Sequence, residues 1–314
     1  MIRGVVSITD WEWFRYLSSC QGLDEVNFWR PRDLDRPKIE PGTPFIFKLR
    51  KNRGDRIVGY GVYARHSVLP AWLAWDAFGV ANGASTFESM RVQLDHLRRD
   101  ASALQSAGDY SIGCVMLSAP VFLPEERWIA PPDDWAPNIV QGKGYDLTRG
   151  EGKRIWEQLL AASPVEQVRG AAPSVQEPLP LMYGEPRLVA PRLGQGTFRV
   201  AVADAYQRAC AVTGEHSLPV LEAAHIRAFS AHGPHEVSNG LLLRTDIHRL
   251  FDRGYVTVDP DELRFVVSPR LREDYANGRT YYALAGSPLV LPPDEVDRPL
   301  REHLDWHARE CFRG

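Results

Sequence analysis

Residues 221–254 read LEAAHIRAFSAHGPHEVSNGLLLRTDIHRLFDRG. Leu221–Ile226 is a short apolar run around one histidine, His225, and its pattern predicts a strand. Gly233-Pro234 is turn chemistry. Asn239-Gly240 then leads into Leu241, Leu242 and Leu243, a second short buried strand. Thr245 or Asp246 can cap a helix that begins near Ile247. On that helix His248 and Asp252 are four residues apart and share a face. Strand, turn, strand and helix therefore follow one another in a single stretch.

Three polar residues punctuate it in order: His225, Asn239 and His248. Hydrolysing a phosphodiester needs an activated water, neutralised phosphoryl oxygens and help for the leaving oxygen. A histidine that titrates near neutrality can take a proton from water, and a hard cation can polarise the phosphate. The chain has nine histidines, and any one of them could be an ordinary core or surface residue. An ordered set embedded in AAHI and NGLLLRTDIHRLFD is harder to reach by composition alone. This order and spacing resembles the HNH nucleases. The resemblance implies a ββα-metal fold, with His225 as general base and Asn239 orienting that base and tying the loop. It implies His248 as a metal ligand and a divalent cation, Mg2+ or Mn2+, as cofactor.

The stretch departs from the commoner family pattern at two places. The position before the first histidine often carries a second ligand, and here it is Ala224, which cannot bind a cation. Glu222 projects to the same side of a strand as Ala224, and Asp252 lies one turn after His248. Both are candidate ligands and the sequence does not choose between them, while Asp246 reads as a helix cap. Many HNH domains also hold a structural zinc through paired CxxC motifs. Cys210 could begin such a pair, but Thr213, Arg244 and Ile247 fill the other places. No structural zinc is expected, because such a site needs four ligands. The remaining cysteines, Cys20, Cys114 and Cys311, lie far apart. With no signal sequence legible at the start, the expectation is a reducing cytoplasm.

The 314 residues carry a net charge of −3, which is not the basic balance of a small DNA-binding domain. Phosphate affinity depends on a local basic face instead. The basic residues after Gly194 are all arginine, and Arg227, Arg244, Arg249 and Arg253 surround the motif. Arg227, Arg244 and Arg249 are taken as phosphate binders because arginine suits bidentate contacts; a bias in base composition would give the same pattern. No apolar run reaches membrane-spanning length.

Residues 161–196 are rich in Pro, Gly, Ala and Ser and read as a linker between domains 1–160 and 197–314. A helix is expected over Thr197–Cys210, a broken strand over Tyr255–Val267, and a terminal helix that makes His307 structural. The N-terminal domain predicts strands at Pro44–Leu49, Arg56–Ala64 and Ser111–Leu117, with a hairpin signal at Asn52–Asp55. Helices are expected at Asp10–Ser19, Ala71–Phe78 and about Phe87–Leu104. The fold class is α+β throughout.

Three N-terminal segments, VNFWRPRDL (Val26–Leu34), PGTPFIFKLR (Pro41–Arg50) and RIVGYGVYAR (Arg56–Arg65), resemble the PUA-like superfamily, especially its EVE-type branch. The resemblance implies a bent, β-barrel-type domain that holds one extruded modified base in an aromatic pocket. Asn27, Trp29, Phe47, Lys48, Tyr60 and Trp75 are the pocket residues selected, although aromatic side chains in a domain of this size mostly build core. Together the two resemblances imply a modification-dependent restriction endonuclease acting on double-stranded DNA, with modified cytosine as the expected mark. One HNH site cuts one strand, so a homodimer is expected. The alternatives are an HNH nuclease acting on unmodified DNA or RNA, and a non-catalytic binder of modified nucleic acid with a degenerate HNH domain, which Ala224 would favour.

Overall fold

A computed structural model of the chain describes residues 2–31, 39–98, 110–139, 141–163 and 193–314. Most of the expected linker, the Arg32–Leu34 part of the first PUA-like segment and the end of the expected Phe87–Leu104 helix lie outside the described residues. The chain divides into two compact units, Met1–Thr197 and Phe198–Gly314.

In the first unit β1 (Arg3–Thr9) leads into α1 (Trp11–Ser19). Asp10 caps that helix, its Oδ1 accepting from the backbone N–H of Glu12 at 2.9 Å and of Trp13 at 3.1 Å. Two of the donors that a helix start leaves open are thereby satisfied. There follow β2 (Glu25–Arg30), β3 (Pro44–Leu49), β4 (Ile57–Pro70), α2 (Ala71–Phe78), α3 (Phe87–Arg98), β5 (Ser111–Phe122), β6 (Gly142–Asp146) and α4 (Gly150–Ala162). Every residue of β3 is buried, as suits a strand covered on both faces.

The six strands form one sheet in the order β2-β5-β4-β3-β1-β6. β1 runs parallel to β3, and the other neighbours are antiparallel. Along β3, Phe45 and Phe47 alternate with Ile46 and so face opposite sides. The phenylalanine side holds a ring cluster with Trp13, Phe28 and Phe122. The other side packs Ile46, Tyr60 and Tyr145 against Ile155 and Leu159 of α4.

The expected barrel-type domain is corrected by this topology. Closure would need β2 to pair with β6, the two ends of the strand order. Among the described residues the sheet stays open. Its register shifts at Phe47/Lys48, Tyr60/Val62 and Tyr63/Arg65, irregularities of the kind that locally bend and twist a strand.

The second unit begins within α5 (Gln195–Ala205). This helix ends before the expected Cys210, because Gln207 and Arg208 take φ of +53° and +60°, which no α-helix admits. Next come β7 (Leu221–His225), β8 (Gly240–Arg244), α6 (Thr245–Asp252), β9 (Val256–Val258), β10 (Phe265–Val267), α7 (Arg270–Tyr275), α8 (Arg279–Tyr282) and α9 (Arg301–Glu310). β7 and β8 pair antiparallel, with Glu222 opposite Leu243 and His225 opposite Gly240.

On α6, Ile247 and Phe251 are buried, while one residue further round His248 is half-buried and Asp252 exposed. His307 of α9 fixes the end of this helix. Its ring stacks on Phe251 at 3.6 Å and 8°, its Nε2–H donates to the Phe251 carbonyl at 3.1 Å, and its Nδ1 accepts from Thr257 Oγ1 at 2.9 Å. Gly254 follows at φ +74°, where a Cβ would lie 1.9 Å from the Cys311 carbonyl oxygen. Only glycine allows the chain to turn there so close to a second backbone segment. Among the described residues no helix is long and apolar enough to cross a membrane.

Candidate active site

The site is built on the β7–β8 ribbon and α6. Asn239, fully buried immediately before β8, holds the intervening loop. Its Oδ1 accepts from Arg227 N at 2.9 Å, and its Nδ2 donates to the carbonyls of Arg227 at 3.0 Å and Pro234 at 2.9 Å. The backbone adds Ile226 N to the Asn239 carbonyl at 2.9 Å. Gly233 is pressed so closely against this loop that a Cβ would lie 1.9 Å from the Arg227 carbonyl oxygen. Asn239 thus ties both ends of the loop that leaves His225, and it acts through backbone rather than through the imidazole.

His225 stacks flat on Phe198 of α5, with centroids 3.9 Å apart and planes at 11°. Its Nε2 lies 3.2 Å from Nδ1 of His235. Burial, followed by the neighbouring His235 and His248, pushes the His225 pKa down to about 4. The ring is therefore neutral at physiological pH and keeps one lone pair. His235 was not selected from the sequence, where GPHE reads as turn punctuation. Its contact with His225 spans a loop whose path local pattern does not specify.

His248 sits between two carboxylates. Its Nδ1 is 2.7 Å from Glu222 Oε2, and its Nε2 is 3.4 Å from Asp252 Oδ2. Burial alone would lower the His248 pKa, but the hydrogen bonds with Asp252 and Glu222 outweigh it and hold the value above the ordinary one. Both acids left open by the sequence thus reach the same imidazole. The three side chains close on one another, and among the described residues no group of three or more His, Cys, Asp or Glu forms a preformed metal cage. Ala224 is fully buried opposite Leu241, with no donor to offer.

The arginines differ in their freedom. Arg244 is committed to Asp246 through Nε at 2.8 Å and Nη2 at 2.7 Å, and Tyr281 donates to the same carboxylate at 3.2 Å. Neither Thr245 nor Asp246 caps α6: Arg244 occupies the N-cap, and Thr245 Oγ1 donates to the Val220 carbonyl. Arg227 donates from Nε to the Ala231 carbonyl at 2.9 Å and lies over Trp306 at 5.7 Å. Arg249 and Arg253 are exposed on and just after α6. Cys210 is a buried free thiol.

The six pocket residues selected in the first unit do not come together around one opening. Asn27 and Trp29 of β2 meet at Asn82, through Asn27 Nδ2 to Asn82 Oδ1 at 2.9 Å and Trp29 Nε1 to the Asn82 carbonyl at 2.7 Å. Asn82 in turn donates to the Ala74 and Gly79 carbonyls of the α2 region. Phe47 stacks on Phe122 within the aromatic core. Lys48 is buried on the opposite side, paired with Asp55 and lying 4.9 Å over Trp135. Tyr60 packs against Trp156 there. Trp75 is partly open beside Phe87. Burial on both faces of a central strand separates Phe47 from Lys48. Among the described residues Asn27 Oδ1 is buried without a hydrogen-bond partner.

Residues 210–259 match the sequence model of a family described as HNH endonuclease. The chain carries an HNH endonuclease domain, and it is a nuclease. The matched span contains β7, β8 and α6, and with them His225, Asn239 and His248. No curated protein matches the sequence. Among solved structures, the modification-dependent TagI restriction endonuclease aligns over 98% of this chain and 81% of its own, at 16% identity and a TM-score of 0.32. A score that low does not establish a shared overall arrangement. The HNH domain is thus read from its own geometry and the family match.

Proposed function

We propose that the protein is a metal-dependent DNA endonuclease in which His225 is the general base, Asn239 fixes the loop beside it, and His248 with Asp252 holds a divalent cation. The carrying observation is His248 gripped by Glu222 and Asp252 within a segment that matches the HNH family. An imidazole with two carboxylates offers nitrogen and hard oxygen donors that accept Mg2+ or Mn2+. Glu222 makes the shorter contact, to Nδ1, as a carboxylate does when it orients a ligating histidine through its second nitrogen. His248 through Nε2 and Asp252 would then be the residues that hold the cation. When bound, the cation neutralises phosphoryl charge and stabilises the leaving oxygen. Neutral His225 takes the proton of the attacking water, and Arg249, exposed on α6, supplies phosphate contact.

Residues 1–160 are proposed as the sensing domain, joined through 161–196 to the nuclease at 197–314. Its aromatic-rich sheet is the feature that supports recognition of a modified base, with modified cytosine as the proposed mark. Such a protein would restrict foreign DNA, and two copies would be needed for a double-strand break. The test is cleavage of one plasmid, unmodified, methylated or hydroxymethylated at cytosine, across a Mg2+ and Mn2+ series. Nicking only with metal and only on modified plasmid supports both halves. Equal nicking of all three plasmids removes the sensing role, and no nicking under any metal removes the catalytic one.

A further inference from the structure

His235 lies in the loop between β7 and β8, and neither the family motif nor the metal site assigns it a role. Its Nδ1 is 3.2 Å from Nε2 of His225, with ring centroids 5.0 Å apart and planes at 77°. Phe229 packs on its other side at 4.6 Å. The loop that presents it is clamped by the Asn239 bond to the Pro234 carbonyl, immediately before His235.

We propose that His235 is a positioning residue for the hydrolytic reaction, whose Nδ1 accepts a hydrogen bond from Nε2–H of His225 and so leaves the His225 Nδ1 lone pair for water. The inference rests on the assignment of His225 as general base. Two neutral imidazoles can make this contact in only two ways, because one nitrogen must donate and the other accept. Were His235 the donor, His225 would carry its proton on Nδ1 and spend its only lone pair on His235. Neither nitrogen could then accept from water. With His225 as the donor, the balance closes. Water loses a proton to His225 Nδ1, its oxygen bonds to phosphorus, the bond to the leaving oxygen breaks, and that oxygen takes a proton from solvent. The imidazolium formed on His225 still donates Nε2–H to the Nδ1 lone pair of His235. The groups facing His225 are Phe198 on its ring face, His235 at Nε2, and the charges of His248 and Asp252 on α6.

Substitution separates an acceptor from a packing role. Asparagine places its Oδ1 near the position of the histidine Nδ1, whereas phenylalanine keeps the ring against Phe229 without an acceptor. At saturating plasmid and metal, His235→Ala and His235→Phe are expected to slow nicking by about 10- to 100-fold, part of what a positioned base contributes. His235→Asn should recover most of the rate, with plasmid affinity within about twofold of wild type in all three. Long-range nitrogen–proton NMR of the full chain should show His225 protonated on Nε2. Rescue by phenylalanine and not asparagine would overturn the proposal, as would an unchanged rate in His235→Ala or a proton on Nδ1. If the wild-type protein fails to nick at all, it is the base assignment that falls, and the NMR tautomer still decides whether His235 accepts from His225.

Discussion

Nδ1 of His248 lies 2.7 Å from the carboxylate of Glu222, although the two residues come from different elements, α6 and β7. Asp252 approaches the other nitrogen from within the helix at 3.4 Å. The longer contact, on the helix's own i,i+4 pair, is the one assigned to a cation. Asp252→Asn should raise the metal concentration for half-maximal nicking by about 100-fold or more, and Glu222→Gln by about tenfold. Metal titrations of the nicking rate check this. The reverse order would make Glu222 the ligand.

His225→Ala should abolish detectable nicking while leaving plasmid binding intact. A positioned general base contributes roughly 10^2- to 10^4-fold, and an uncharged His225 supplies little phosphate affinity. Parallel nicking and gel-shift measurements separate the two effects. A variant that loses binding together with cleavage would point instead to a structural role in the ribbon.

Asn239→Ala should cost about 1–3 kcal/mol, the desolvation of Arg227 N–H and the Pro234 carbonyl once their partner is gone. Urea unfolding followed by tryptophan fluorescence measures it. Cleavage should fall further than stability alone explains, because the loop carrying His235 loosens at the same time.

His307 should make the HNH domain acid-sensitive, adding to the same depression at His225. Burial is the largest influence on its pKa and pushes it down to about 4, against an ordinary value of 6.5. Nδ1 accepts from Thr257 and so must be unprotonated, while the Phe251 carbonyl at Nε2 pulls the other way without offsetting burial. The unfolded chain therefore binds a proton below about pH 6.5 that the folded chain binds only near pH 4, so stability falls as pH drops through that window. The loss reaches about 3 kcal/mol from this one group. His307→Phe would keep the stack on Phe251 and should flatten the stability profile between pH 6.5 and 4 in chemical denaturation. A profile as steep as wild type would assign the acid sensitivity elsewhere.

What could be read in the sequence was local. The strand at Leu221, the leucine strand after Gly240, and the shared face of His248 and Asp252 all follow from side-chain period, and each was found where expected. Helix caps were less legible. Asp10, read as the first residue of α1, is its N-cap, while Thr245 and Asp246 were drawn away to Val220 and Arg244. The first unit was harder still. β1, β2 and β6 went unread as strands, and the pocket residues scattered, since aromatic content signals burial without saying on which face of a sheet a ring will lie.

The sequence by itself determined that a histidine, an asparagine and a histidine would stand on a ribbon and a helix in HNH order, because period and turn chemistry act over a few residues. Only the tertiary structure decided which groups meet them. Glu222 reaches His248 across the fold, Asn239 closes a loop, and His235 swings back onto His225. Each depends on where a turn sends the chain, and that is set by packing between segments distant in sequence.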